Sequence, residues 1–281
     1  INRVFFMVMV YLILLLLGLA LGSFVNAFAW RISKQSTSVK FKKSAKYSIS
    51  RGRSMCPDCE HLLSTADLIP VISWIFLKGS CRYCKKKISV QYPLVEILFV
   101  IAVLVSYHFW PLDLTDSTGY ILFVIWLCLL VLGFCMSIID IKWQLLPTKL
   151  VYMFGGLSGL LVITNSIINR DFSLLISPII GSAVLFGTFW LIYQVSGGKW
   201  IGGGDVRLLA ALGILLGWQK GLLAVVVASY IATFVVVGLV IFRKYKKGMR
   251  ISFGPFLLSA AYLSFVFGDS VIRAYRSFSG L

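Results

Sequence analysis

Apolar positions in this chain run in long, nearly unbroken blocks, without the two-residue alternation of a half-buried strand or the 3.6-residue stripe of a surface helix. The blocks lie near Val4 to Trp30, Tyr92 to Trp110, Gly119 to Ile139, Leu150 to Ile168, Leu174 to Val195, Val206 to Leu216, Leu222 to Phe242 and Phe253 to Phe267. A helix crosses a hydrocarbon core of about 30 Å with about 20 residues, so the pattern predicts about eight transmembrane helices, the sixth of them short. The first block has Arg3 as its only basic flank and runs into Arg31 without a small-residue cleavage site. It therefore reads as a retained span and not as a signal peptide. The expected fold class is all-α integral membrane, with a small polar insert. The expected organisation is a first helix over 1–30, an insert over 31–91 and a seven-helix membrane domain over 92–281.

Composition agrees with the pattern: 59% of the 281 residues are hydrophobic and 13% charged, too little polar surface for a water-soluble domain. The formal net charge of +17 raises the question of nucleic acid, and the position of the charges answers it. Thirteen lysines and arginines lie between Arg31 and Lys87, and five more (Arg243, Lys244, Lys246, Lys247, Arg250) lie between the last two blocks. By the positive-inside rule the insert is cytoplasmic and the N-terminus outside. Alternation then brings the loops at Asp140 to Lys149, Ser196 to Asp205 and Arg243 to the same, cytoplasmic, face. The basic loops read as topology signals against anionic lipid headgroups, not as nucleic-acid contacts.

The insert has two parts. Ser33 to Arg53 is rich in Ser and Lys and reads as a basic linker. The second part carries Cys56-Pro57-Asp58-Cys59, then 21 residues, then Cys81-Arg82-Tyr83-Cys84. Two such pairs at this distance are the layout of a four-thiolate zinc site, since each pair forms a knuckle that can face the other tetrahedrally. A reducing compartment and the spacing favour zinc over disulfides or free thiols, and four thiolates leave no open position for chemistry, so the zinc is structural. Cys128 and Cys135 lie inside an apolar block and read as packing residues.

Three of the ten acidic residues stand at or within apolar blocks: Glu96, Asp140 and Asp205. Asp140 ends the third block ahead of Leu145-Leu146-Pro147, and Asp205 follows Gly202-Gly203-Gly204, which puts both at one depth. An acid in a membrane segment is costly and points to function, although an interfacial one can reach water. Singly, each is equally well a lipid-interface residue, Asp205 serving as a helix cap. As a pair they suggest a dyad in which one carboxyl holds a proton while the other activates water. The glycines allow close backbone approach by an extended substrate.

Gly22-Ser23-Phe24-Val25-Asn26, the paired cysteine motifs, Leu68-Ile69-Pro70 through Ser73-Trp74, Tyr92-Pro93-Leu94-Val95-Glu96, Asp140 with Leu146-Pro147, Gly202-Gly203-Gly204-Asp205 and Phe253-Gly254-Pro255-Phe256 occur in an order that resembles type IV prepilin peptidases over nearly the whole chain. The resemblance implies an eight-span aspartyl protease of the G-x-G-D class in the bacterial cytoplasmic (inner) membrane. Such enzymes remove the basic leader of prepilins and pseudopilins after a glycine, at the cytoplasmic face. It implies that Asp140 and Asp205 are catalytic. Many members also methylate the new N-terminal amine with S-adenosylmethionine, and the tetracysteine insert is typical of these.

The chain departs from that pattern in three places. Arg207 stands where Lys is usual, Thr148 follows the Leu-Pro pair where Asp is common, and Phe99 and Val100 follow Glu96 where small residues are frequent. A peptidase without methyltransferase activity is therefore the alternative. Two readings of Glu96 and Tyr92 stand equal: they line a methyl-donor or substrate pocket, or they pair with Arg31 or another base at the interface. A transporter would also place acids and glycine-broken helices in the membrane, but no inverted repeat is visible and both acids sit near one face. A redox scaffold would need a thioredoxin-like strand and helix pattern, which is absent from the sequence.

Overall fold

The structure is a computed structural model that describes residues 2–37, 52–112, 114, 116–246, 249 and 251–280. Most of the basic linker, Asp113, Lys247 and Arg250 lie outside the described residues. Among the described residues eight α-helices follow one another: α1 (Asn2–Thr37), α2 (Ile72–Phe76), α3 (Gln91–His108), α4 (Ser117–Trp143), α5 (Thr148–Asn169), α6 (Ile176–Ser196), α7 (Gly203–Ile241) and α8 (Gly254–Ser279). All except α2 are long and apolar enough to cross a membrane, which makes seven. Among the described residues the only β-pairing is two isolated bridges in the insert. Helices prevail because lipid leaves no other partner for backbone N–H and C=O groups.

By packing, the chain divides into two compact units, Ile1–Phe109 and Trp110–Leu281. In the first, α1 packs on α3. The seam is made by Gly18 and Gly22, one turn apart. A Cβ on Gly18 would sit 3.1 Å from the Val100 Cα, and one on Gly22 only 2.8 Å from the Glu96 Cα. With little hydrophobic drive between helices in lipid, such small residues let backbones meet.

In the second unit α7 packs on α6 and on α8, and α5 lies against α7. Helix α7 is 39 residues long, about 58 Å if straight and nearly twice a hydrocarbon core. It is not straight, since Gly217 has φ 72°, ψ −178°. Residues before α7 (Gly202) and after it (Ile251 to Phe253) line one cavity, and the nine residues 242–250 span at most about 30 Å. The helix therefore turns back at Gly217, and the sixth and seventh expected spans are its two legs. That is how seven helices accommodate the eight expected spans.

The turn rests directly on α6. A Cβ on Gly181 would lie 2.5 Å from the Gly217 carbonyl carbon, and one on Gly213 2.5 Å from that of Gly181. Backbone meets backbone there, so no rotamer relieves an added side chain. Gly213→Leu is expected to destabilise the second unit by at least about 1–3 kcal/mol, the usual cost of overpacking, read as a lowered unfolding midpoint in detergent. An unchanged midpoint would mean that this contact is not close in the folded protein.

Candidate active site and metal centre

Asp140 lies in the last turn of α4, which ends at Gln144 in the left-handed conformation. Its side chain is buried. The Ser252 hydroxyl donates to the Asp140 backbone carbonyl at 2.8 Å, and Ser252 and the Gly254 N–H also lie against its carboxylate. Gly254 opens α8 beside Pro255, a residue suited to a first turn. A Cβ on Gly254 would stand 2.5 Å from Asp140 Oδ2 and 3.4 Å from Leu146. Only glycine fits between them.

Asp205 sits in the first turn of α7, behind Gly202, whose backbone is extended (φ −73°, ψ 141°). It is the third helical residue and not the cap. The Gly202 N–H lies against its carboxylate, much as the third residue of a capping box reaches back to the cap. Asp205 Oδ1 is buried and has no hydrogen-bond partner. One oxygen is thus tethered and the other open. Asp140 and Asp205 are near enough to interact electrostatically, and both line a cavity of about 790 Å³ with Leu146, Gly202, Gly204 and Ser252.

The glycine run has separate duties. Gly203 and Gly204 are helical, so any extended pairing ends at Gly202. A Cβ on Gly204 would come to 3.0 Å from the Leu146 Cβ, which sets how closely α7 approaches the α4–α5 connection. Arg207 Nη1 donates to Thr148 Oγ1 at 2.6 Å, joining the starts of α7 and α5. Two of the three departures from the family pattern therefore touch.

In the insert the four sulfurs of Cys56, Cys59, Cys81 and Cys84 all lie within 4.8 Å of one another, and Cys56 Sγ is 3.9 Å from Cys84 Sγ. A metal bound at about 2.3 Å by four thiolates sets sulfurs about 3.8 Å apart, so the set fits a tetrahedral ion. All four thiols are free. The two halves repeat the same backbone. Cys56 N–H bonds the His61 carbonyl and Glu60 N–H the Cys56 carbonyl, and Cys81 N–H bonds the Lys86 carbonyl and Lys85 N–H the Cys81 carbonyl. Glu60 (φ 55°) and Lys85 (φ 59°) occupy matching left-handed positions. Burial pushes the Cys56 thiol up to about 12. Burial also raises Cys81, yet the backbone N–H groups of Cys84 and Tyr83 outweigh it and bring that thiol down to about 7.

Glu96 and Tyr92 stand on α3 in the first unit, where the Val71 N–H donates to Glu96 Oε2 at 2.7 Å and Asn26 Nδ2 donates to the Tyr92 carbonyl at 3.1 Å. Sequence reasoning did not single out Ser252 or Gly254 as partners of Asp140, nor Asn26 as a partner of α3. The motifs containing Gly254 and Asn26 were visible only through the family resemblance.

Comparison with known proteins accords with the geometry. Residues 16–110 match the Bacterial Peptidase A24 N-terminal domain, and residues 127–237 match the Type IV leader peptidase family. The chain is 33% identical to a prepilin leader peptidase/N-methyltransferase of Stutzerimonas stutzeri, covering 95% of this chain and 94% of that one. It is 32% identical to the Pseudomonas aeruginosa protein of the same name (95% and 93%) and 32% identical to that of Dichelobacter nodosus (94% and 93%). No solved structure matches the chain.

Proposed function

This chain belongs to the type IV leader peptidase family, and from that premise we propose that it is an intramembrane aspartyl endopeptidase that removes the leader of prepilins or pseudopilins after a glycine and then N-methylates the new N-terminus. The observation that carries the peptidase reading is that two carboxylates from separate helices, Asp140 and Asp205, line one cavity.

The two carboxyls share one proton. The ionised one takes a proton from water as that water attacks the scissile carbonyl carbon, and the protonated one donates to the carbonyl oxygen. Collapse of the tetrahedral intermediate returns a proton to the departing amide nitrogen, which leaves as an amine. The first N–H groups of a helix have no intrahelical partner, so those of Gly203 and Gly204 can donate to a backbone carbonyl of the extended substrate. The Gly202 N–H is held by the Asp205 carboxylate and its carbonyl by the Asp205 and Val206 N–H groups, so Gly202 borders the substrate segment without pairing with it.

The four cysteines hold a structural zinc ion, which fits their donor set and separations. S-adenosylmethionine supplies the methyl group. Topology follows the charges: the enzyme sits in the bacterial inner membrane with its N-terminus outside, and the insert and aspartates on the cytoplasmic side, where the basic loops meet anionic lipid.

Incubating the purified protein with a prepilin, with and without S-adenosylmethionine, tests the reading. The expected product lacks the leader and gains one methyl group only when the donor is present; an intact prepilin would overturn it. In the same assay Gly254→Ala and Gly204→Val should each slow cleavage at least about tenfold, a loss of about 1.4 kcal/mol or more in transition-state stabilisation. The first displaces the Asp140 carboxylate and the second wedges α7 from Leu146. Wild-type rates in both would show that neither glycine positions the dyad.

A further inference from the structure

The first unit contains a buried polar cluster that leader removal does not use. Glu96, 6% exposed, lies in the apolar helix α3. Its carboxylate accepts the Val71 N–H at 2.7 Å and interacts with the Ser23 hydroxyl. Val71 is β-branched yet has φ 61°, ψ −50°, in a tight turn where the Ile72 N–H reaches the Pro70 carbonyl. Such a conformation is unfavourable for this residue type and persists where the surroundings hold it. The strained turn delivers an N–H to a buried carboxylate.

Across the helix seam Gly22 lies against Glu96, and one turn further along α1 is Asn26, 4% exposed. Its Nδ2 donates to the carbonyls of Gly22 at 3.4 Å and Tyr92 at 3.1 Å. Two carbonyls can be faced only by the NH₂ end, which fixes the amide orientation. Asn26 Oδ1 is consequently the atom left over, buried and without a partner. A carboxylate has about four acceptor positions, and Glu96 uses two. The cluster therefore offers acceptors: the rest of Glu96 and, on the residue one turn along α1 from Gly22, Asn26 Oδ1. Ser23 and Val71, both half-buried, form its rim.

Unmet acceptors around a negative charge select a compact cation rich in N–H donors, and a primary ammonium has three. Cutting a peptide bond creates one. Resting on the methyl-transfer reading above, we propose that Glu96, Asn26 and Ser23 bind the α-ammonium of the processed chain and hold it for methylation, Glu96 taking one of its protons so that the nitrogen gains the lone pair that accepts the methyl group.

The test is equilibrium binding of a fluorescent peptide bearing the processed N-terminal sequence to the full chain in detergent, compared with the same peptide N-acetylated. The free amine is expected to bind at least about tenfold more tightly, a difference of about 1.4 kcal/mol. Glu96→Gln, whose amide carbonyl can still receive the Val71 N–H, should abolish that preference, with the unfolding midpoint reporting the fold. Equal binding of the two peptides by the wild-type protein overturns the proposal, and this comparison needs no variant. A folded Glu96→Gln protein that keeps the full preference overturns it as well, because Glu96 then serves only to pin the turn. A wild-type protein that prefers the amine but transfers no methyl group would refute methylation while leaving the amine site standing.

Discussion

Replacing Asp140 or Asp205 by Asn is expected to abolish leader cleavage, by roughly a thousandfold or more on the scale typical of lost catalytic groups, while leaving the fold and the metal content of the protein unchanged. Asn matches Asp in size but can neither accept the proton of the attacking water nor pass one to the carbonyl oxygen. The unpartnered Oδ1 of Asp205 and the clamped carboxylate of Asp140 are the atoms concerned. Groups that act as one device lose their effect together, so the double substitution should be little worse than either single one. Product mass against time is the readout. Appreciable turnover in Asp205→Asn would remove that residue from the chemistry, and the same holds for Asp140.

Cys81→Ser is expected to empty the metal centre and unfold the insert. Binding of a structural zinc ion supplies about 10–16 kcal/mol in small metal-built folds, and this insert has little else. Its helix α2 is five residues long with none buried, and its β-pairing is two isolated bridges. The wild-type protein should hold about one zinc per chain by elemental analysis. The variant should hold none and be cut within residues 52–90 by a protease the wild type resists. Metal-free wild-type protein with all four thiols reduced would refute the site. Since protons compete with metal for thiolates, release should also occur as pH falls.

The membrane fold was legible because blocks of apolar residues and the placement of Lys and Arg follow directly from the physics of lipid. The gathering of Cys56, Cys59, Cys81 and Cys84 into one cluster was legible because the four lie close in sequence. The pairing of Asp140 with Asp205 could be inferred only as a shared depth, since 64 intervening residues separate them and helix packing decides where they meet. What stayed hidden depends on missing atoms. Gly254 matters through the Cβ it lacks beside Asp140, and nothing in its neighbours announces that. Likewise Arg207 and Thr148 look like unrelated departures until the structure places them 2.6 Å apart. The reversal at Gly217 left a trace in the short sixth block, but its role as a turning point needed the geometry of both ends.

That reversal also sets a length. The first leg of α7, residues 203–216, rises about 21 Å. Along α8 the distance from Gly254, beside Asp140, to Asp269, which Lys220 meets at 2.7 Å just past the turn, is about 22 Å. Charged groups thus mark both ends of a slab some 8 Å thinner than a typical hydrocarbon core of about 30 Å. Mismatch of this kind is relieved by local thinning of the bilayer at a cost of fractions of a kcal/mol per Å, which would bring water to Asp140 and Asp205. The enzyme would then sense its solvent: reconstituted in lipids of increasing acyl-chain length, it should lose cleavage rate as the surrounding bilayer becomes harder to compress.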